Sequence, residues 1–236
     1  MTAKSEEMLM KNFLFKIMAA LTVFFVVFCV AAGAVVRGSY IQAPVNSEEI
    51  LSIPLEQTNS QFEIASISKE KLLGADLIAR VVFTGERKIE HMATRSTVSL
   101  LEVMKGNLKE GAQIDLYEYC FIRSNGQNFV LSNFSFSNLM QEGKEYIIFA
   151  NQKKYNPVYQ KKLNRLVYLP VSIEFPLCEM ADVQSSVLDE EDVRAGQVKY
   201  ADVKENEFLV TSAKQLSQLH ELKAELFSAL DVQAAN

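Results

Sequence analysis

Residues 17 to 36 run from Ile17 to Val36 without a charged side chain, and Lys16 and Arg37 bound the run on either side. As a helix it would rise about 30 Å at about 1.5 Å per residue, which matches the hydrocarbon thickness of a bilayer. The run therefore reads as a transmembrane anchor over residues 17–36, preceded by a cytoplasmic leader over 1–16. A cleaved secretory signal is the competing reading, because Lys4, Lys11 and Lys16 form a basic leader and Ala32, Gly33 and Ala34 have the small-x-small form of a cleavage site. The length of the run, and its continuation through Val35 and Val36, favour retention. Cys29 follows the bulky Phe28, which does not suit a lipid-attachment signal, and reads as an ordinary membrane-facing side chain.

Orientation follows from the flanks. Three lysines precede the run and only Arg37 lies close behind it, so the N-terminus is expected in the cytoplasm and the remainder outside. No later apolar stretch approaches this length, which predicts a single-pass chain in contact with membrane lipid through residues 17–36.

The exported remainder holds about 200 residues, enough for one domain with a real core. Of the 24 basic and 29 acidic residues, the leader and its flank take four (Lys4, Lys11, Lys16, Arg37) and two (Glu6, Glu7), leaving 20 and 27 and a charge near −7. A net acidic surface argues against nucleic acid as a partner. Cys120 and Cys178 lie in this part, where an oxidising compartment permits a disulfide; two separate buried thiols are the alternative.

Residues 37–62, polar and interrupted by Pro44 and Pro54, read as a stalk. The apolar set Ile50, Leu51, Ile53 and Leu55 leaves open an edge strand docked on the domain. Ser68 to Gly74 has a capping serine, helix formers and a glycine stop, which predicts a short helix. Alternation then takes over. Strands are expected at 77–84, ending at Gly85, and at 97–104, 113–120, 128–136, 144–150 and 165–171. Six short strands over residues 63–178 describe a small barrel or sandwich, giving a mainly β fold with flanking helices, α+β in class.

Residues 179–236 are acidic and helical in character. A helix is expected over 182–195, stopped by Gly196, and a short edge strand at Phe208, Leu209 and Val210. The last segment is amphipathic: Leu216, Leu219, Leu222, Leu226, Phe227 and Leu230 form a stripe behind a Ser212 cap, with Gln215 placed for a capping box.

Three stretches carry a resemblance. Residues 75–82 (Ala-Asp-Leu-Ile-Ala-Arg-Val-Val), 98–106 (ending in Lys105-Gly106) and 139–150 (with Gly143 and Tyr146 opening an apolar strand) resemble the bacterial relatives of netrin-like, or TIMP-like, domains. The likeness covers about residues 68–171 and implies an OB-type barrel flanked by helices, a fold usually employed for binding. Metalloproteinase-inhibiting members place an N-terminal Cys-x-Cys on the protease zinc. No cysteine occurs here between Cys29 and Cys120, so that activity is not carried over.

Chemistry is sparsely supplied. The two histidines, His91 and His220, are more than a hundred residues apart, and no nucleophile elbow, phosphate loop, zinc motif or Cys-x-x-Cys is present. No catalytic residue, metal site or cofactor is expected. Asp189-Glu190-Glu191-Asp192 lacks calcium-loop spacing and reads as a solvated helix start. Asn133-Phe134-Ser135 fits the glycosylation triplet, but Phe134 reads as a strand residue. The most distinctive exposed segment holds Lys153, Lys154, Tyr155, Tyr159, Lys161, Lys162 and Arg165 in a loop between two strands. Basic residues interleaved with tyrosines suit an anionic polymer, a glycan or an acidic protein face; the plainer reading is a solvated loop.

The expectation from sequence is thus a membrane-anchored, extracytoplasmic binding or adaptor protein of the cell envelope, working on a protein or glycan partner without catalysis. A structural subunit of a membrane-spanning assembly is the alternative, and an envelope hydrolase or thiol enzyme is a third.

Overall fold

A computed structural model describes residues 3–39, 50–57, 63–90, 93–124, 128–155 and 164–232. The chain divides into two units, Met1–Gln42 and Ala43–Asn236. The described residues of the first form one helix, α1 (Ala3–Ser39). Within it Phe15–Gly33 is 19 residues long with a mean hydropathy of 2.4 and none of it buried. Thr22 donates its hydroxyl to Met18 O at 2.9 Å, so its polar group is satisfied within the helix.

The second unit is mostly β-sheet with a few helices. Its elements are β1 (Leu55–Gln57), α2 (Lys69–Leu73), β2 (Leu77–Glu90), β3 (Ala93–Lys105), β4 (Gln113–Glu118), β5 (Cys120–Ser124), β6 (Phe129–Asn133), β7 (Glu145–Gln152), β8 (Leu166–Pro170), β9 (Leu177–Glu179), α3 (Glu190–Arg194), α4 (Tyr200–Val203) and α5 (Ala213–Leu230). One sheet runs β2-β3-β4-β8-β7-β9, and β2 also pairs with β7; the other runs β1-β6-β5. Within the first, β4 and β8 are parallel, with Ile114 opposite Leu166, and the other ladders are antiparallel.

Alternation along β2 and β7 sorts side chains between two cores. Leu77, Ala79, Val81 and Phe83 join Tyr146, Ile148 and Ala150 in one buried cluster with Val98, Leu100, Ile114 and Leu116. The opposite face sends Ile78, Ile147 and Phe149 to a second cluster, closed by Leu219, Leu226 and Phe227 of α5 and by Phe136, Phe175 and Phe208. Each such side chain, fully buried, contributes about 1.5–3 kcal/mol. The expected amphipathic helix is therefore a core element, although Ser212 caps it by backbone geometry alone, without a side-chain hydrogen bond.

Several expectations are corrected. Within residues 37–62 the docked alternative holds for the described part: Ile50, Ile53 and Leu55 are buried in a third cluster with Leu131, Tyr200 and Leu209. There β1 runs parallel to β6, Leu131 N donates to Pro54 O at 2.9 Å, and Leu55 N donates to Val198 O at 2.8 Å. The strand expected to end at Gly85 continues to Glu90, because Gly85 adopts φ 86° inside an irregular register between Phe83 and Arg87 and the pairing with β3 resumes beyond it. The strand expected at 113–120 breaks at Tyr119, where the chain leaves one sheet for the other. The helix expected over 182–195 is confined to α3, whose cap is Asp189; its carboxylate accepts from Glu191 N at 2.8 Å and Asp192 N at 3.0 Å. Residues 208–210 are buried without forming a strand, apart from a bridge between Ser137 and Phe208.

Candidate functional site

Of the seven residues singled out in the basic loop, Lys153, Lys154, Tyr155 and Arg165 are described. Lys153 follows β7, donates its backbone N–H to Val167 O at 2.8 Å, and places Nζ 5.0 Å from the Tyr117 ring and 4.9 Å from the Tyr155 ring. Arg165, just before β8, grips Glu86 through Nη1 at 3.0 Å and Nη2 at 2.8 Å and donates to Thr97 Oγ1 at 3.1 Å. The pairing holds the Glu86 carboxyl below its usual range. Lys154 is exposed. Tyr159, Lys161 and Lys162 lie outside the described residues.

Arg165 belongs to a lattice laid across β2, β3 and β4. Its Nη1 stands 3.7 Å from Asp115, whose other oxygen lies 3.5 Å from Arg95; Arg95 reaches Glu90 at 3.1 Å, and Glu90 accepts from Tyr117 Oη at 2.6 Å. Burial, with Glu90 as a further cause, pushes the Tyr117 phenol up. Strand alternation places these groups on one face, where each charge meets its opposite. Arg165 thus makes its ion pairs with Glu86 and Asp115 of this chain.

A second polar centre surrounds Arg87, which the sequence analysis does not single out. The bulge at Gly85 turns Arg87 inward, and its guanidinium stacks 4.5 Å from the Phe83 ring centroid. It donates from Nε to Ser96 Oγ at 3.2 Å and from Nη2 to Met140 O at 2.5 Å, and Nη2 lies 3.4 Å from Glu118 Oε1. The Glu118 side chain is only 3 % exposed. It also accepts from Ser96 Oγ and, at 2.7 Å, from Met140 N, so a buried carboxylate has the donors that its desolvation requires.

Beside this centre lies a cavity of about 550 Å³. Ile50, Leu51, Phe83 and Met140 supply its apolar wall, and Tyr200 and Gln141 contribute polar lining. Burial pushes the Tyr200 phenol up. The charged lining is Arg87, Lys204 and Glu142, with Glu142 lying over Gly85: a Cβ added there would stand 3.1 Å from the Glu142 Cδ. Gln141 ties the rim together by donating its side-chain amide to Lys204 O. The volume and the mixture of apolar walls with a few polar groups are those of a small-molecule or peptide-end site.

The nucleophile candidates are packed away. Cys120 and Cys178 are free thiols, both fully buried, in different clusters, so the expected bridge is not formed and the alternative of two separate thiols describes the fold. Burial pushes both thiols up, away from the thiolate that reactivity requires. His220 packs edge-on against Phe208 at 5.5 Å, and burial, then Lys223, lowers its pKa. His91 lies outside the described residues. One turn beyond His220, Lys223 is buried and donates to Glu207 Oε2 at 2.7 Å and to Ala181 O at 2.8 Å. Burial pushes the Glu207 carboxyl up to about 7, against the pull of Lys223. Among the described residues no three metal-ligating side chains converge.

Compared with protein families and with curated proteins, the chain matches none.

Proposed function

We propose that the chain is a membrane-anchored binding or adaptor protein of the cell envelope, single-pass, with its N-terminus cytoplasmic and its β-rich unit outside. The observation that carries the anchoring is the Phe15–Gly33 segment: side chains such as Phe24, Phe25 and Phe28 are 60–69 % exposed, and so much apolar surface calls for lipid. The lysines before it and the single Arg37 behind it set the orientation.

The β-rich unit is read as an OB-type barrel. The larger sheet's pairings trace β2-β3-β4-β8-β7 and return to β2, and the parallel ladder of that sheet, β4 with β8, is in keeping with a five-stranded Greek-key barrel of this type. Barrels of this type bind across their middle strands and adjoining loops. The cavity beside Arg87 and the segment carrying Lys153 and Lys154 are the surfaces proposed for that purpose. The netrin-like resemblance points the same way.

Exchange of residues 17–36 for an unrelated spanning helix tests the reading. A tethered binding module keeps its membrane retention and its ligand capture after the exchange. Loss of capture with retention intact would assign the essential contacts to the anchor and turn the account towards an assembly subunit.

A further inference from the structure

The segment that follows β7 carries positive charge that its own sequence does not neutralise. Residues 146–173 hold five basic residues and no acidic one, whereas the chain beyond Arg37 carries about −7. Lys153 Nζ lies 5.0 Å from the Tyr117 ring centroid and 4.9 Å from that of Tyr155, and among the described residues neither Lys153 nor the exposed Lys154 pairs with a carboxylate. A cation against an aromatic ring keeps its full charge, so Lys153 is positioned without being neutralised.

The lattice around Tyr117 limits what this charge can meet. Lys88, Arg95, Lys153 and Arg165 share the face with Glu86, Glu90 and Asp115, and Lys154 raises the excess of positive charge to two. Glu86 is exposed and Glu90 partly so. Both would repel a densely charged polymer such as a polyphosphodiester, whose phosphate oxygens only accept hydrogen bonds. A sugar hydroxyl donates as well as accepts, and so fits a face that offers carboxylates beside guanidinium groups. Tyr117 and Tyr155, both half-buried, add flat rings of the kind that the C–H face of a pyranose can cover. One carboxylate per sugar unit then supplies charge to the two lysines without crowding the three carboxylates of the face.

We infer that this face binds an acidic polysaccharide of low charge density, whose sugar units carry uronate carboxylates, with those carboxylates on Lys153 and Lys154, a sugar ring against Tyr155 and hydroxyls on the pairing of Glu86 with Arg165. The inference rests on the binding reading above and names its ligand class.

Fluorescence anisotropy of a labelled oligogalacturonate tests it, with the full-length chain in non-ionic detergent micelles at about 0.15 M ionic strength, where distant surface charges are screened. Saturable binding is expected. It should be at least tenfold tighter than that of the methyl-esterified oligomer, which keeps the sugar and loses the charge, and than that of polyglutamate, which keeps the charge and loses the sugar. Vesicles of phosphatidylglycerol should compete no better than polyglutamate. Lys153→Gln combined with Lys154→Gln should weaken binding at least tenfold, whereas Lys109→Gln combined with Lys214→Gln, which removes the same charge from exposed positions elsewhere, should leave it unchanged. Tyr155→Ala should weaken it severalfold with every charge in place. Absence of saturable binding, equal binding of the esterified oligomer, polyglutamate or the vesicles, equal loss in the two double-lysine variants, or an unchanged Tyr155→Ala would overturn the inference. Ligand capture in the anchor-exchange experiment by a chain that binds no oligogalacturonate would overturn it while leaving the binding reading in place.

Discussion

Gly85 sits at φ 86°, and the Glu142 carboxyl group lies 3.1 Å from where a Cβ would stand, so two independent constraints fall on one residue. Gly85→Ala combines a left-handed backbone with a contact that must shift, and is expected to cost about 1–3 kcal/mol in urea unfolding of the full-length chain. A neutral result would contradict the geometry of the bulge. The two native thiols of the β-rich unit are expected to resist maleimide in the folded protein and to react at once in denaturant; labelling of either under native conditions would contradict their burial. Glu207 supplies a pH dependence. The folded protein holds its proton up to about pH 7 whereas the unfolded chain releases it near 4.5, so the folded state binds more protons across that window. The contribution of this group is therefore fully present below about 4.5 and is lost as pH rises through about 7. Glu207→Gln should flatten the stability profile between those limits, and an unaltered slope would assign it to another group.

Among the elements, α5 shows what the fold requires of a surface helix. Leu226 is fully buried in the cluster that also holds Ile78 and Phe149, and Leu226→Ala should cost about 2–5 kcal/mol. A loss below 1 kcal/mol would mean that the helix is not docked in solution. The stripe on α5 was legible because six apolar positions repeat at helical spacing, and the alternation of β2 and β7 was legible for the same reason at period two. Residues 50–57 were legible only as an open alternative: Ile50, Leu51, Ile53 and Leu55 suggested a docked edge strand, but they are too few to show a period, and the partner of β1, β6, lies more than seventy residues away in parallel register. Gly85 misled for a different reason. Glycine after an apolar run is a stop signal in most strands, and only the strand opposite, through Ser96 and Arg95, reveals that pairing resumes. The candidate cavity is the least legible of all, since its lining comes from residues 50–51, 83–87, 140–142 and 200–204. Arg87 in particular lies among Glu86, Lys88 and Glu90 as one charge in a polar run, and only the fold buries it beside Glu118.

For the whole molecule, the proposed reading assigns tethering to the helix of bilayer length in one unit and capture to the β-rich unit with its cavity. The claim is tested most directly by crosslinking the full-length protein in intact cells and identifying, by mass spectrometry, what is attached and where. The account predicts reproducible crosslinks on the β-rich unit, near the rim formed by residues 140–142 and 200–204 or along residues 153–165, formed by a reagent that does not cross the membrane. Crosslinks confined to residues 17–36, or a β-rich unit reached only after the cells are opened, would contradict it.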